Sequence, residues 1–297
     1  MKDIIYTTSE YNALPQVRQS YLKECLKSTL DYKIRLESEW KPSKVMIFGS
    51  LVDNIWLDRS QLERDFIYWN QDDRPDHQHS MKAKSNVEWM ESLQASADLQ
   101  GKILVPIDEI RRADALVNAI RSPEPGALHA GNTPEAAMAR DYLDHRPGEK
   151  QKVIFWTDPE TGIEMKGRLD KLNEHEIVDL KVYANFGPNE FGRDAAKYSL
   201  DMQAVLYMKA TGRTRFVWVV IQPEPPYHVC IYKMDEGSRE YNSGEKKLRI
   251  CLDRLKTALD TGIYSGIGSM GMISDGFDPV TNIYDFMLPH WHLSRWE

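Results

Sequence analysis

The spacing of apolar residues changes about halfway along the chain. In the first half, apolar side chains recur every three or four positions, as on one face of an amphipathic helix. This pattern predicts four helices, over residues 16–38, 43–57, 107–121 and 133–145. The polar stretch 70–86 between the second and third helices predicts a mobile loop.

The second half of the chain shows the alternating pattern of β-strands. Short β-rich segments separated by turn sequences predict five strands, at residues 151–158, 162–172, 175–183, 214–222 and 227–234. A helix over 193–212, closed by Gly212, separates the third strand from the fourth, and a last helix covers about 239–260. This order predicts an α/β fold with a mixed central sheet flanked by helices. We interpret 1–297 as one domain, in which a mainly helical part (1–146) precedes the sheet and its helices (147–297).

Composition and charge narrow the class of protein. The chain has 297 residues, of which 41% are hydrophobic, so a sizeable core is available. Its start has no signal-peptide pattern and its longest apolar run, 216–221, is too short to span a membrane, so we expect a soluble intracellular protein. Three widely spaced cysteines indicate neither a disulfide framework nor a zinc or iron–sulfur site.

The formal net charge of −7 argues against coating nucleic acid by bulk electrostatics, but it allows a local basic groove. Three segments are candidates for such a groove, namely 246–256, 209–215 and the pair Lys166 and Arg168. Taken alone, each of them is more typical of a solvated helix or turn.

Charged residues interrupt two neighbouring predicted strands. If these strands form a hairpin, Asp170 on one lies beside Asp179 on the next, and Lys181 shares the face of Asp179. Two close carboxylates repel each other unless a divalent cation neutralises them, and such oxygen ligands suit Mg²⁺ or Mn²⁺. A lysine beside the metal can orient a water and offset charge on a phosphate. The alternative is a turn cap and an exposed surface ion pair.

The helix after the third strand carries two further candidates. Gln203 and Tyr207 are four residues apart, so they share a helix face that would pack near the acidic residues. They could hold a phosphate or Lys181, or they could be a half-buried helix edge. The chain has neither a Ser or Cys nucleophile arrangement nor a Walker-type phosphate loop, which weakens esterase and ATPase assignments.

In this order and spacing, Asp170, Asp179-x-Lys181 and Gln203-x-x-x-Tyr207 resemble the core of the PD-(D/E)xK nucleases and the glutamine and tyrosine motif of their RecB-like branch. The closer resemblance is to the RecE-like phage exonucleases of the exonuclease VIII type, and it covers most of the chain. Its successive blocks are "SYLKECLKSTLDYK", "FGSLVDNIWLDRSQLERDF", "FWTDPETGIEMKGRLDKL", "IVDLKVY" and "YSLDMQAVLY".

The resemblance implies a metal-dependent exodeoxyribonuclease that degrades linear duplex DNA, with 5′→3′ polarity, in phage-type homologous recombination. It implies Mg²⁺, for which Mn²⁺ substitutes. The implied metal ligands are Asp53, Asp170, Asp179 and the Leu180 carbonyl. The implied catalytic residues are Asp170, Asp179, Lys181, Gln203 and Tyr207, and the implied DNA contacts are Lys166, Arg168, Gln203 and Tyr207. Asp53 stands where many members carry a histidine ligand, and no fourth carboxylate is assigned.

The resemblance also implies partners and a location. We expect DNA as substrate, a homo-oligomer in the form of a ring, a single-strand annealing protein as a candidate partner, no membrane, and the cytoplasm of a bacterial host cell. One alternative is a single-strand, flap or endonuclease of the same superfamily. Another is a non-catalytic DNA-binding protein that retains the fold, which the retention of Asp170, Asp179 and Lys181 opposes.

Overall fold

A mixed β-sheet forms the centre of the protein. The structure is a computed structural model that describes residues 6–38, 41–124, 126, 129–266, 277–278 and 283–284. The strands are β1 (Val17–Arg18), β2 (Phe66–Trp69), β3 (Ile103–Pro106), β4 (Gly148–Thr157), β5 (Glu164–Asn173), β6 (Glu176–Val182), β7 (Arg215–Ile221), β8 (Val229–Asp235), β9 (Phe277–Asp278) and β10 (Ile283–Tyr284). The central sheet contains β1 and β4 to β8, whereas β2 with β3 and β9 with β10 form separate pairs.

Helices cover both faces of this sheet. They are α1 (Thr8–Ala13), α2 (Gln19–Leu22), α3 (Thr29–Glu37), α4 (Lys44–Leu57), α5 (Gln61–Asp65), α6 (Lys84–Leu99), α7 (Ile107–Arg121), α8 (Pro134–Arg140), α9 (Pro188–Tyr198), α10 (Leu200–Thr211) and α11 (Arg239–Thr261). Short 3-10 segments lie at Lys23–Leu26, Gln71–Asp73 and Ala130–Asn132, and a π-helical turn follows α8 at Asp141–His145.

The pairing of β5 leaves a gap in the sheet. One edge of β5 pairs with β4 along its whole length. The other edge is shared by two strands, since β1 pairs in parallel with Met165 and Lys166, and β6 pairs in antiparallel with Lys171 and Leu172. Within the described chain, residues 167–170 therefore have no strand partner on this edge. Beyond the gap, β6 runs parallel to β7, which is antiparallel to β8.

Two hydrophobic cores fix the helices on the sheet. On one face, α9, α10 and α11 pack against residues such as Met165, Ile177 and Phe216. On the other face, α4, α7 and α8 pack against Val178 and Leu180 of β6 and against alternate residues of β7. Neighbouring strand residues enter opposite cores because successive side chains point to opposite faces. The predicted α/β fold with a mixed sheet and flanking helices is thus confirmed.

The predicted elements differ from the observed ones where side-chain caps or unusual backbone break a helix. The predicted helix 16–38 is divided into β1, α2, a 3-10 turn and α3, because the hydroxyl of Ser28 accepts the Asp31 N–H and starts α3 anew. The predicted helix 193–212 is divided at Ser199, which has φ of 54°. Sequence reasoning missed β2, β3 and α6, and no helix of the described part is both long and apolar enough to cross a membrane.

Close packing of α10 against α11 gives a stability prediction. A Cβ built on Gly244 would lie 2.5 Å from the Asp201 carbonyl oxygen, whereas a Cβ on Gly192, in α9, meets no atom within 4 Å. We expect Gly244→Ala to lower the free energy of unfolding by about 1–3 kcal/mol, because backbone must move. Gly192→Ala should raise it by up to about 1 kcal/mol, because alanine favours helix. Urea unfolding compares the two, and equal shifts of both variants would contradict the close contact.

Candidate active site

The gap between β5 and β6 is held open by a side chain. The two strands pair only at Lys171 with Val178 and at Leu172 with Ile177. At the next position, where Asp170 and Asp179 would face each other, Asp170 Oδ2 accepts the N–H of Leu180 at 2.7 Å. A carboxylate thus replaces a strand as the partner of this backbone N–H. The predicted closeness of Asp170 to β6 is observed, but the hairpin is a fork.

Backbone strain lies directly across from this fork. Gln151 of β4 stands opposite Asp170 in the register of β4 and β5, and its φ is 52°, in the left-handed region. A residue other than glycine is uncommon there, and such strain tends to collect at functional sites. The distortion marks the part of β5 that carries the carboxylate.

Helix α4 brings Asp53 to the fork. The helix begins at a Ser43 cap and buries the apolar side chains on either side of Asp53 in the core, so the position of this aspartate is fixed. Burial raises the pKa of Asp53 well above its ordinary value, and the nearby Asp170 and Asp179 raise it further, while Lys181 and Arg168 oppose them. Asp53 therefore belongs to the same cluster as the predicted strand carboxylates.

The strand carboxylates are partly balanced by Lys181. Burial, followed by the charge of Asp179, raises the pKa of Asp170 to about 7. Burial also raises the pKa of Asp179, which Lys181 opposes from 2.6 Å, measured between Nζ and Oδ2. Although burial opposes its charge, the carboxylates of Asp179, Asp170 and Asp53 raise the pKa of Lys181, which therefore stays protonated at neutral pH.

The donor set of this cluster fits a hard divalent cation. Three carboxylates against one ammonium leave an excess of negative charge, and carboxylate oxygens are what Mg²⁺ and Mn²⁺ prefer. In the described residues, no three or more His, Cys, Asp or Glu side chains are arranged around one point as metal ligands. One oxygen of Asp170 accepts the Leu180 N–H and one oxygen of Asp179 lies against Lys181. Asp53, Asp170 and Asp179 are the side chains that could hold such a cation.

Helix α10 adds an amide and a phenol to the cluster. Tyr207 is buried, and the side chain of Gln203, one turn earlier, hydrogen-bonds its hydroxyl. Burial raises the pKa of Tyr207, and the charges of Asp179, Lys181 and Asp170 also act on it. The ring approaches β5 closely because a Cβ on Gly167 would lie 2.4 Å from its Cε1 atom. The predicted motif on this helix thus lies beside the predicted strand residues.

The two basic residues of β5 have different surroundings. Lys166 is buried, and its Nζ donates to the carbonyl oxygens of Tyr11 at 2.7 Å and Leu14 at 2.6 Å. Burial lowers its pKa to about 8. We do not retain Lys166 as a DNA contact, because its ammonium is used to attach the end of α1 to the sheet. Arg168 donates to Thr8 Oγ1 at 3.3 Å and lies near enough to lower the pKa of Asp53 and Asp170.

Sequence reasoning missed the contribution of α1. Its Tyr11 ring lies 4.9 Å from Lys166 Nζ and 5.5 Å from the Arg168 guanidinium carbon, measured to the ring centroid. The signal for this helix was present, since Thr7 and Glu10 form a capping box. What the sequence did not indicate was that this short helix lies against β5.

Sequence comparison identifies a family for most of the chain. The profile described as "PDDEXK-like domain of unknown function (DUF3799)" matches residues 19–264. The matched range includes every predicted site residue from Asp53 to Tyr207. A search of curated proteins finds no match.

Solved structures with similar folds include three from bacteria. A protein from Eubacterium rectale, described as a candidate exonuclease, is 12% identical, with a TM-score of 0.52 over 97% of this chain and 96% of that one. A phage-related exonuclease from Haemophilus somnus 129PT is 10% identical, with a TM-score of 0.34 over 61% and 85%. An alkaline exonuclease from Laribacter hongkongensis is 12% identical, with a TM-score of 0.29 over 62% and 87%. The first of these shares the fold over its full length.

The carboxylate cluster gives a prediction about cation binding. We expect Mn²⁺ to raise the melting temperature of the wild type above its value in EDTA, because the cation relieves repulsion between buried carboxylates. Asp53→Asn should melt no lower than the wild type in EDTA, since it removes one of the repelling acids, and should lose most of the rise with Mn²⁺. Thermal melts with and without Mn²⁺ measure both effects.

The control for this test is Asp114→Asn. Asp114 forms an ion pair with Arg59 on α7, away from the cluster, so this variant should keep the full response to Mn²⁺. An equal rise with Mn²⁺ in Asp53→Asn and the wild type would remove Asp53 from the cation site.

Proposed function

Because the chain belongs to the family of PDDEXK-like domains (DUF3799), we propose that it is a divalent-metal-dependent deoxyribonuclease acting as an exonuclease on linear duplex DNA. The observation that carries the proposal is the cluster of Asp53, Asp170 and Asp179 around Lys181 at the fork of the sheet. We further propose 5′→3′ polarity and a role in phage-type recombination. These two points rest on the resemblance to RecE-like exonucleases.

The proposed reaction is hydrolysis of a phosphodiester bond. Asp53, Asp170 and Asp179, with the Leu180 carbonyl, would hold Mg²⁺ or Mn²⁺, which when bound supplies Lewis-acid stabilisation of charge on the phosphate. Lys181 keeps its proton in this acidic setting, so its ammonium can orient the attacking water and offset the growing negative charge. The close contact with Asp179 limits the freedom of the ammonium and keeps it in the cluster.

Other residues of the cluster would position the substrate. The hydroxyl of Tyr207 and the amide of Gln203 are already joined to each other, so they offer one polar surface on α10 to the scissile strand or to Lys181. Arg168 is a candidate for a phosphate contact, because its charge reaches the same carboxylates. Gly167 would keep this surface close to β5, since any side chain there meets the Tyr207 ring.

We propose that the whole chain forms one nuclease domain. The part before residue 147 supplies β1, which pairs with β5, and α4, which carries Asp53. We also propose a ring-shaped homo-oligomer, because a chain with net charge −7 has little electrostatic means of staying on DNA and encirclement would keep it there. A single-strand annealing protein is the proposed partner, and the cytoplasm of a bacterial host the proposed location.

A second candidate is the same chemistry on another form of DNA, such as single strands, flaps or internal sites. The cluster of carboxylates and Lys181 would serve all of these, because it acts on one phosphodiester at a time. The third candidate, a DNA-binding protein without activity, is opposed by the retained cluster.

Digestion of end-labelled DNA tests the proposed function. We expect linear duplex DNA to be degraded from its ends with Mg²⁺ or Mn²⁺ and to remain intact with EDTA, while covalently closed circular DNA resists. Cleavage of circles would favour an endonuclease, and preference for single strands would favour the second candidate. No cleavage of any DNA with either metal would refute nuclease activity, and labels at the 5′ or 3′ end give the polarity.

Lys181 separates catalysis from folding. We expect Lys181→Ala to lower the rate of single-turnover cleavage by a factor on the order of 10² to 10³, as for loss of one charge contact in the transition state. Lys181→Arg should remain impaired, because a planar guanidinium does not reproduce a compact ammonium. DNA binding should change little, since the contact acts mainly in the transition state.

Lys233→Ala is the matched control for Lys181→Ala. Lys233 lies on β8 at the same spacing from an aspartate, with its Nζ 3.2 Å from Asp235 Oδ2, but in an exposed pair. It should cost at most about 1 kcal/mol of stability and leave turnover unchanged. Near wild-type rates in both Lys181 variants would mean that Lys181 is only a strand ion pair.

A further inference from the structure

A cleft of about 1000 Å³ opens beside the carboxyl end of β6. Its walls come from α2, the 3-10 turn after it, α3, the start of α4 and the segment that follows β6. Val182 and Tyr183, which line it, directly follow Lys181, and Gly49 lies one helical turn before Asp53. The cleft is therefore continuous with the cluster at the fork, although none of the predicted site residues lines it.

The cleft collects cations that lack counter-ions. Among the described residues, Lys23, Arg35 and Lys197 form no ion pair, although the chain as a whole is acidic. Lys23 and Arg35 line the cleft, and Lys197 stands at its rim beside Tyr198. Burial and the nearby Arg35 lower the pKa of Lys23, so the protonated ammonium is held at a cost. Like charges gathered in a concave site are relieved by an anionic ligand.

The carboxylates of the cleft do not balance these cations. Glu24 pairs with Lys27 at 2.7 Å, outside the cleft. Asp31 accepts the Ser28 hydroxyl at the start of α3. Asp194 also faces the cleft, so one carboxylate stands against two lining cations and a third at the rim.

An aromatic ring lies among the cations. Tyr198 is 39% exposed, and its ring centroid is 5.5 Å from Lys23 Nζ and 5.2 Å from Lys197 Nζ. An exposed ring flanked by ammonium groups is suited to a nucleobase on the ring and phosphates on the cations, because stacking accepts any base. Tyr21 on the opposite wall is already covered by Arg18, whose guanidinium carbon is 3.8 Å from its centroid.

We propose that this cleft is the path of one DNA strand to the active site, with phosphates bound by Lys23, Arg35 and Lys197 and a base stacked on Tyr198. The choice of DNA as ligand rests on the proposed function. The size of the cleft selects one strand, because a turn of duplex about 34 Å long is far too large for it. The duplex must therefore be opened before one strand reaches Lys181.

Binding of a labelled single strand tests this proposal without cleavage. Fluorescence anisotropy with an internally labelled 12-nucleotide oligothymidylate in EDTA gives the affinity of each variant. We expect the double variant Lys23→Ala, Arg35→Ala to bind about tenfold more weakly or worse, and its dependence of log Kd on log salt to fall by about 0.7 for each lost phosphate contact. Tyr198→Leu should weaken binding about fivefold or more with an unchanged salt slope, because it removes stacking but no charge.

The matched control is Lys33→Ala, also on α3. Lys33 pairs with Glu37 at 2.9 Å and lies 5.1 Å from the Tyr264 ring, outside the cleft, so this variant should bind as the wild type does. Wild-type affinity in both cleft variants would refute the proposal, as would an equal loss in Lys33→Ala. Failure of the wild type to bind the oligonucleotide would refute it as well.

A small substrate separates this proposal from the proposed function. Hydrolysis of bis(4-nitrophenyl) phosphate with Mn²⁺ needs the carboxylate cluster but no strand path, so the cleft variants should hydrolyse it at the wild-type rate. If no variant and no wild type hydrolyses it, yet oligonucleotide binding depends on the cleft, the proposed function fails and the strand path stands. If all hydrolyse it and binding is independent of the cleft, the strand path fails and the chemistry stands.

Discussion

Three carboxylates and one ammonium share a partly buried place at the fork of the sheet, and this imbalance of charge determines much around it. Asp53, Asp170 and Asp179 each raise the protonation tendency of a neighbour, and Lys181 relieves only part of the repulsion. Such a group is not what a stable core favours, because buried like charges cost stability. The fold tolerates it by anchoring each member separately, Asp53 on a helix packed in the core and Asp170 on a backbone N–H.

The anchoring explains why the sheet is interrupted at this place. A regular antiparallel pair would have satisfied the backbone of β5 and β6 and would have set Asp170 directly across from Asp179 with nothing between them. The fork exchanges two backbone hydrogen bonds for one side-chain bond to Leu180 and leaves residues 167–170 open on one edge. The opening lets Tyr207 approach Gly167 from one side of the sheet while α4 presents Asp53 from the other.

The sequence was most informative where one kind of local pattern dominated. Alternation predicted the five long strands, and charges within that alternation indicated Asp170, Asp179 and Lys181. It was less informative where a single side chain or backbone angle overrides periodicity, as at Ser28 and Ser199. Short strands such as β1 have too few residues to show a period. The buried position of Lys166 could not be read from the sequence either, because it depends on carbonyl groups at the end of α1, which is distant in the chain.

That distance affects how the protein folds. The contact between Lys166 and the Tyr11 carbonyl joins residues 155 positions apart, and β1 meets β5 at nearly the same separation. During synthesis, the first segment leaves the ribosome long before its partner strand exists, so it must wait without its native neighbours. Contacts between such distant residues also close slowly, because a long loop loses entropy before any contact rewards it. The sheet around Arg168 and Asp170 is therefore completed late, and a growing chain is protected from acquiring an assembled active site before it is nearly whole.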